Sequence, residues 1–164
     1  MKRPFKTLRA AAALAAGILL ALAVSSPASA APMYFETNDL GEDLCTYYET
    51  AGEAEWPTFT VEPVVVITGK AATTVLSDRN CLHVIPYERH IEFVAYADDR
   101  PVSEHREALE NSRSSFEYSF SLESTWEEPI DYLTVAICRT VPSDVPYDDC
   151  TEPVYVYPGP VTTG

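Results

Sequence analysis

The residues whose types could do chemistry are four cysteines, three histidines and a set of paired acids. Cys45, Cys81, Cys138 and Cys150 are even in number. In an oxidising compartment such a set reads first as two disulfides, with three connectivities open. A zinc centre would need thiolates and imidazoles at ligand spacing. No Cys-x-x-Cys pair occurs, and no histidine stands at a zinc-finger spacing from a cysteine. Once both pairs form, no thiol is left to act as a nucleophile. His83, His90 and His105 show no i, i+4 spacing and no His-Glu-x-x-His. His90 and Glu92 would share one face of a strand as a minimal metal pair, and we read them as a surface pair. A Gly-x-Ser-x-Gly elbow is absent, and six glycines in 164 residues leave no phosphate-cradling loop.

Asp98/Asp99, Glu127/Glu128 and Asp148/Asp149 have the makings of a glycosidase dyad. With 25 acidic residues, adjacent pairs arise by chance, and a small domain seldom offers the cleft. Asp144, Asp148 and Asp149 gather the oxygen ligands that calcium takes, without the spacing of an EF-hand. They read as a solvated loop. The expectation is therefore a protein without catalytic activity, cofactor or metal.

One segment stands above this background. If Cys138 pairs with Cys150 and Cys45 with Cys81, residues 138–150 become a stapled hairpin loop stiffened by Pro142 and Pro146. That closure is worth about 3 kcal/mol on chain entropy. A preordered loop also lowers the ordering cost of binding. Arg139, Thr140, Val141, Asp144 and Tyr147 would be its contact residues, in the manner of a protease-inhibitor loop. The rival pairing, Cys81 with Cys138, lies near the inter-sheet spacing of immunoglobulin domains. Against it, Cys81 sits in the turn-like Ser77-Asp78-Arg79-Asn80 context, and only Phe93 stands where those domains carry a buried tryptophan.

Strands must position these residues. Phe116 to Leu122 alternates with period two and aims Phe116, Tyr118, Phe120 and Leu122 inward. Ile91 to Ala97 buries Ile91, Phe93 and Ala95 and ends at Asp98-Asp99-Arg100-Pro101. Asp131 to Val141 is apolar on both faces, as a central strand is. Val64 to Thr68, ended by Gly69, is β-branched, and Val154 to Tyr157 lies between two prolines as an edge strand tolerates. Thr58–Glu62 and Leu82–Ile85 complete about seven strands. Leu40, Leu44 and Tyr47 or Tyr48 predict a short amphipathic helix within 39–50, and 103–111 predicts a single helical turn. The ten tyrosines could supply a binding surface, but many alternate at strand spacing and are expected in the core.

The fold expected is an all-β, immunoglobulin-like antiparallel β-sandwich with two disulfides. The small acidic immunoglobulin-like carriers of enediyne antibiotics are similar in secretion, acidity and two disulfides. Both of their disulfide loops are short and glycine-rich, whereas Cys45 and Cys81 are 36 apart. No family follows from that likeness.

Residues 1–30 read as a bacterial-type secretory signal peptide. A basic start is followed by the apolar run Ala10 to Val24 and by Ala28-Ser29-Ala30. Then come an acidic N-terminal arm (31–57), the sandwich (58–158) and a polar tail (159–164). Of 11 basic residues, Lys2, Arg3, Lys6 and Arg9 fall in the leader. Seven bases against 25 acids then remain, a charge of −18 over 134 residues. Such a surface repels phosphate, so nucleic acid and anionic membrane are poor partners. The expectation is a secreted, soluble, extracellular monomer serving as a binding or structural module. Its partner would be a neutral or cationic protein or small molecule. The alternative is a secreted protease inhibitor presenting the Cys138–Cys150 loop.

Overall fold

The computed structural model describes residues 30–160, apart from 58–62, 78–79, 85, 113, 125–127 and 144–145. Residues 1–29 of the expected leader, the expected strand at Thr58–Glu62 and Asp144 thus lie outside the described residues. Nine strands are described: β1 (Met33–Leu40), β2 (Thr46–Glu55), β3 (Val64–Val75), β4 (Arg89–Ala97), β5 (Arg100–Leu109), β6 (Ser114–Glu123), β7 (Tyr132–Val141), β8 (Tyr147–Cys150) and β9 (Val154–Val156). All pairings between them are antiparallel, in two sheets ordered β1-β2-β3-β6 and β5-β4-β7-β8, with β9 also on β7. The all-β class and both expected disulfides, Cys45–Cys81 and Cys138–Cys150, are present.

The core lies between the sheets. Phe35, Tyr48, Val65, Ile67 and Leu122 face Ile91, Phe93, Leu133, Val135 and Ile137. Phe93 is the hub, packed edge-on against Phe35, Tyr118 and Phe120 at 6.0, 5.5 and 5.0 Å. Aromatic pairs at such angles add stabilisation beyond area burial. As expected, β7 is buried on both faces from Leu133 to Cys138.

Several sequence expectations are corrected. The segment 31–57 is no arm: β1 and β2 pair from Met33↔Ala54 to Leu40↔Tyr47 and complete one sheet. Phe35, Thr37, Tyr48 and Thr50 point inward there, so burial on the sandwich outweighs the acidity of the intervening residues. The helix within 39–50 is instead a turn between these strands. Asp43 Oδ1 accepts the amides of Cys45 and Thr46 at 2.9 and 2.8 Å, and Leu44 adopts a φ of 58°. The turn expected at 103–111 belongs to β5, where pairing with β4 overrides the helix-forming Glu, Arg and Ala. No strand forms over Leu82–Val84, which is exposed.

Gly69 does not end β3 but lies inside it. It stands in one cross-strand row with Phe35, Gly52 and Tyr118. A Cβ on Gly69 would collide with the Tyr118 hydroxyl, and one on Gly52 would lie 2.7 Å from Phe35 Cζ. Both glycines therefore make room for inward aromatic rings. The Tyr118 hydroxyl meets Thr50 Oγ1 at 2.7 Å, so two buried polar groups satisfy each other.

Candidate functional site

The stapled segment is less of a loop than its sequence suggests. Cys138 and Cys150 oppose each other on β7 and β8, followed by Arg139↔Asp149, Thr140↔Asp148 and Val141↔Tyr147. Residues 138–141 and 147–150 are thus a short two-stranded ribbon. Two of the residues singled out are tied down within it. Arg139 bonds Asp149 through Nε at 2.9 Å and Glu42 through Nη1 at 2.8 Å. Thr140 Oγ1 donates to Asp148 at 3.0 Å. Val141 is half-buried, and Tyr147 is exposed on β8. Asp148 and Asp149 point to opposite faces of the ribbon, since side chains alternate along a strand. Each meets a different arginine, Arg106 and Arg139 respectively.

Arg139 belongs to an ion cluster at one end of the sandwich. Arg89, whose side chain is fully buried, pairs with Asp39 at 3.1 Å and with Glu42 at 2.9 Å. Its guanidinium lies 4.4 Å from the centre of the Tyr48 ring. Burial works to raise the Glu42 pKa, but hydrogen bonds from Arg89 and Arg139 outweigh it and hold the carboxyl at about 2. A carboxyl depressed from its ordinary 4.5 adds stability above pH 4.5 and loses it as pH falls toward about 2. Melting curves of the parent protein should therefore drop through that window. Glu42→Gln, which cannot titrate, should start lower at neutral pH and drop less. Parallel curves for the two proteins would refute this role.

On the outer face of the second sheet, His90, Glu92 and Cys138 bring ligand-type atoms within 4.8 Å of one another. The sulfur is committed to Cys150. An internal cation, Arg106, bridges Glu92 and Asp148 at 2.8 and 3.0 Å. His90 lies 3.8 Å from Asp148, and burial pulls its pKa below the usual 6.5. The cluster joins β4, β5 and β8 by charge pairing.

Further along the same face lies a groove of about 270 Å³. Its floor is Thr134 and Ala136 of β7, and tyrosines border it. Register dictates this. Tyr96 opposes Tyr132, and Thr134 opposes Tyr155, so all four share the outward rows. Tyr96 and Tyr132 stack at 4.8 Å and 9°, while Tyr155 and Tyr157 tilt against Tyr132 at 5.9 and 5.5 Å. Tyr155 and Tyr157 are each 55% exposed. The Tyr132 hydroxyl donates to Asp99 Oδ1 at 3.1 Å. Crowding by neighbouring groups and that bond push its pKa up to about 12. The adjoining β4–β5 turn carries Asp98 and Asp99 at φ of 48° and 60°, and the Asp98 amide is held by Asp131 at 2.8 Å.

Tyrosines expected in the core thus divide in two. Tyr48 and Tyr118 are buried, whereas Tyr34, Tyr147, Tyr155 and Tyr157 are exposed. The signal for the groove was present: Tyr155 and Tyr157 flank an inward Val156 with period two, but their neighbours come from distant strands. A second depression, of about 690 Å³, lies over Gly52 and Gly69 on the other sheet, beside Tyr34 and the Lys70–Glu117 ion pair. No family model, curated protein or solved structure matches the chain.

Proposed function

We propose that this protein is a secreted, non-catalytic binding module of immunoglobulin-like type that uses the tyrosine-bordered groove of its second sheet as its binding face. The groove is the observation that carries the reading. Tyrosines give large, rigid contact area with a polar tip, and they are enriched in interfaces. Strand order supports the immunoglobulin-like assignment. The pairs β3–β6 and β4–β7 stand where such domains pair their B with E and C with F strands, and β2 and β9 flank them as A and G. Phe93 on β4 takes the central position that a tryptophan holds in antibody domains. Two disulfides are typical of extracellular proteins and agree with the signal-like leader.

Affinity capture from culture medium tests the binding face. Wild-type protein should retain species that a Tyr155→Ser/Tyr157→Ser variant of equal melting temperature does not. Equal capture by both would place binding elsewhere. The ribbon between Cys138 and Cys150 carries a second reading, protease inhibition, because all four residues of β8 are exposed. Inhibition of a panel of secreted serine proteases at micromolar protein supports it, and no inhibition ends it.

A further inference from the structure

We infer that the tyrosine-bordered groove recognises a cation, and specifically the guanidinium of an arginine on an extended segment of a basic partner protein. The inference rests on the reading above, that this groove is the binding face, and names what it would take. Three observations lead to it.

Exposed aromatic faces attract cations through their quadrupole, and a planar guanidinium stacks on them better than an ammonium does. Tyr132, in contact with Tyr96, Tyr155 and Tyr157, forms a continuous aromatic surface whose outer half is open to solvent. The charge is complementary. Among the described residues, Glu92, already paired with Arg106 at 2.8 Å, lines the groove beside the tyrosines, no lysine or arginine does, and Asp99 meets the Tyr132 hydroxyl at its rim. The chain as a whole carries 25 acids against 11 bases, so a basic partner is drawn toward it over long range. Finally, the same chemistry recurs inside the molecule. Arg89 lies over Tyr48 at 4.4 Å and Arg139 near Tyr87 at 5.9 Å.

Arginine is favoured over a free small cation by the form of the site. The groove runs across β4 and β7 to Pro153 and Tyr155, with Thr134 and Ala136 between its walls. That span across several strands suits an extended chain laying one side chain across the rings.

The test uses the whole secreted protein and three peptides: tetra-arginine, its uncharged isostere tetra-citrulline, and tetra-lysine. Affinity is read by calorimetry and location by NMR shifts of the tyrosine ring protons. Tetra-arginine should bind saturably and shift the rings of Tyr132, Tyr155 and Tyr157. Tetra-citrulline and tetra-lysine should bind more weakly. Tyr155→Leu/Tyr157→Leu keeps apolar area and net charge but removes two ring faces, and should weaken tetra-arginine about tenfold.

An unchanged affinity in that variant would show diffuse attraction to an acidic surface and overturn the inference. Equal binding of citrulline and arginine peptides, lost together in the variant, would keep the groove as a binding face but remove the cation. A preference for tetra-lysine would overturn the choice of guanidinium. Absence of any ring shift with tetra-arginine would overturn the inference, while the capture experiment decides the binding face separately. Tyr34→Leu, at an exposed tyrosine of the other sheet, should keep the full affinity, and a loss equal to that of the groove variant would overturn the inference.

Discussion

Arg89→Ala is expected to cost about 3–5 kcal/mol of folding stability, read as a lower midpoint in urea unfolding. The size follows from what is left behind. The Arg89 side chain has no exposure, and it donates to Asp39 at 3.1 Å and to both carboxylate oxygens of Glu42 at 3.1 and 2.9 Å. Without it, Asp39 of β1 and Glu42 of the β1–β2 connection lose their shared cation at the edge of the core, with Arg139 as the remaining partner of Glu42. The Tyr48 ring also loses the guanidinium above it. Removing the acids as well, in Arg89→Met/Asp39→Asn/Glu42→Gln, should recover part of the loss, because a buried ion pair replaced as a unit is far less costly than one broken in half. A loss below about 1 kcal/mol in the single variant would mean that water reaches the cluster and that it does not anchor the β1–β2 turn.

The second large effect belongs to the longer disulfide. Cys45→Ala/Cys81→Ala should lose about 4 kcal/mol, and Cys138→Ala/Cys150→Ala about 3 kcal/mol, since the constraint on the unfolded chain grows with the loop closed. Structure widens the difference. Cys138 and Cys150 join strands already aligned by a hairpin register. Cys81 lies in the connection between β3 and β4, which has neither strand nor helix among the described residues. Among the described residues its other hydrogen bonds lie toward its two ends, from the Leu82 amide to Asp43 O at 2.8 Å and from Asn111 and Thr140 to Pro86 O and Glu88 O, both at 3.0 Å. Denaturation of both double variants under the same conditions checks the order, and a larger loss at Cys138–Cys150 would contradict it.

How much could be read from the sequence depended on where each strand's burial comes from. β4, β6 and β7 announced themselves because their inward residues are large and apolar: Ile91, Phe93, Tyr118, Leu122, Leu133 and Val135. β1 and β2 did not, because several inward positions are threonines. Thr46 bonds the Asp43 carboxylate within the turn, and Thr50 meets Lys70 O and the Tyr118 hydroxyl only once β2, β3 and β6 have come together. β5 is polar on most of its length and written in helix formers, and only its place beside β4 makes it a strand. The groove was the least legible part. Its tyrosines come from β4, β7 and the segment after Pro153, and sharing a face depends on register across three strands. Local periodicity carries no such information.

The strand order also sets a timetable for folding. Val64 pairs with Glu123 and Arg89 with Arg139, so neither sheet can close until distant parts of the chain have met. Chains dominated by such non-local pairings fold in milliseconds to seconds, and they expose strand edges meanwhile. The β7–β8 ribbon is a local hairpin, as β1–β2, β2–β3 and β4–β5 are, and its cysteines, only 12 apart, can be oxidised from it. Cys45 and Cys81 must instead wait for the β2–β3 hairpin and the segment beyond it. The two disulfides therefore record different moments of maturation: one needs only the β7–β8 hairpin, and the other needs the β2–β3 hairpin and the docking of the segment that follows it.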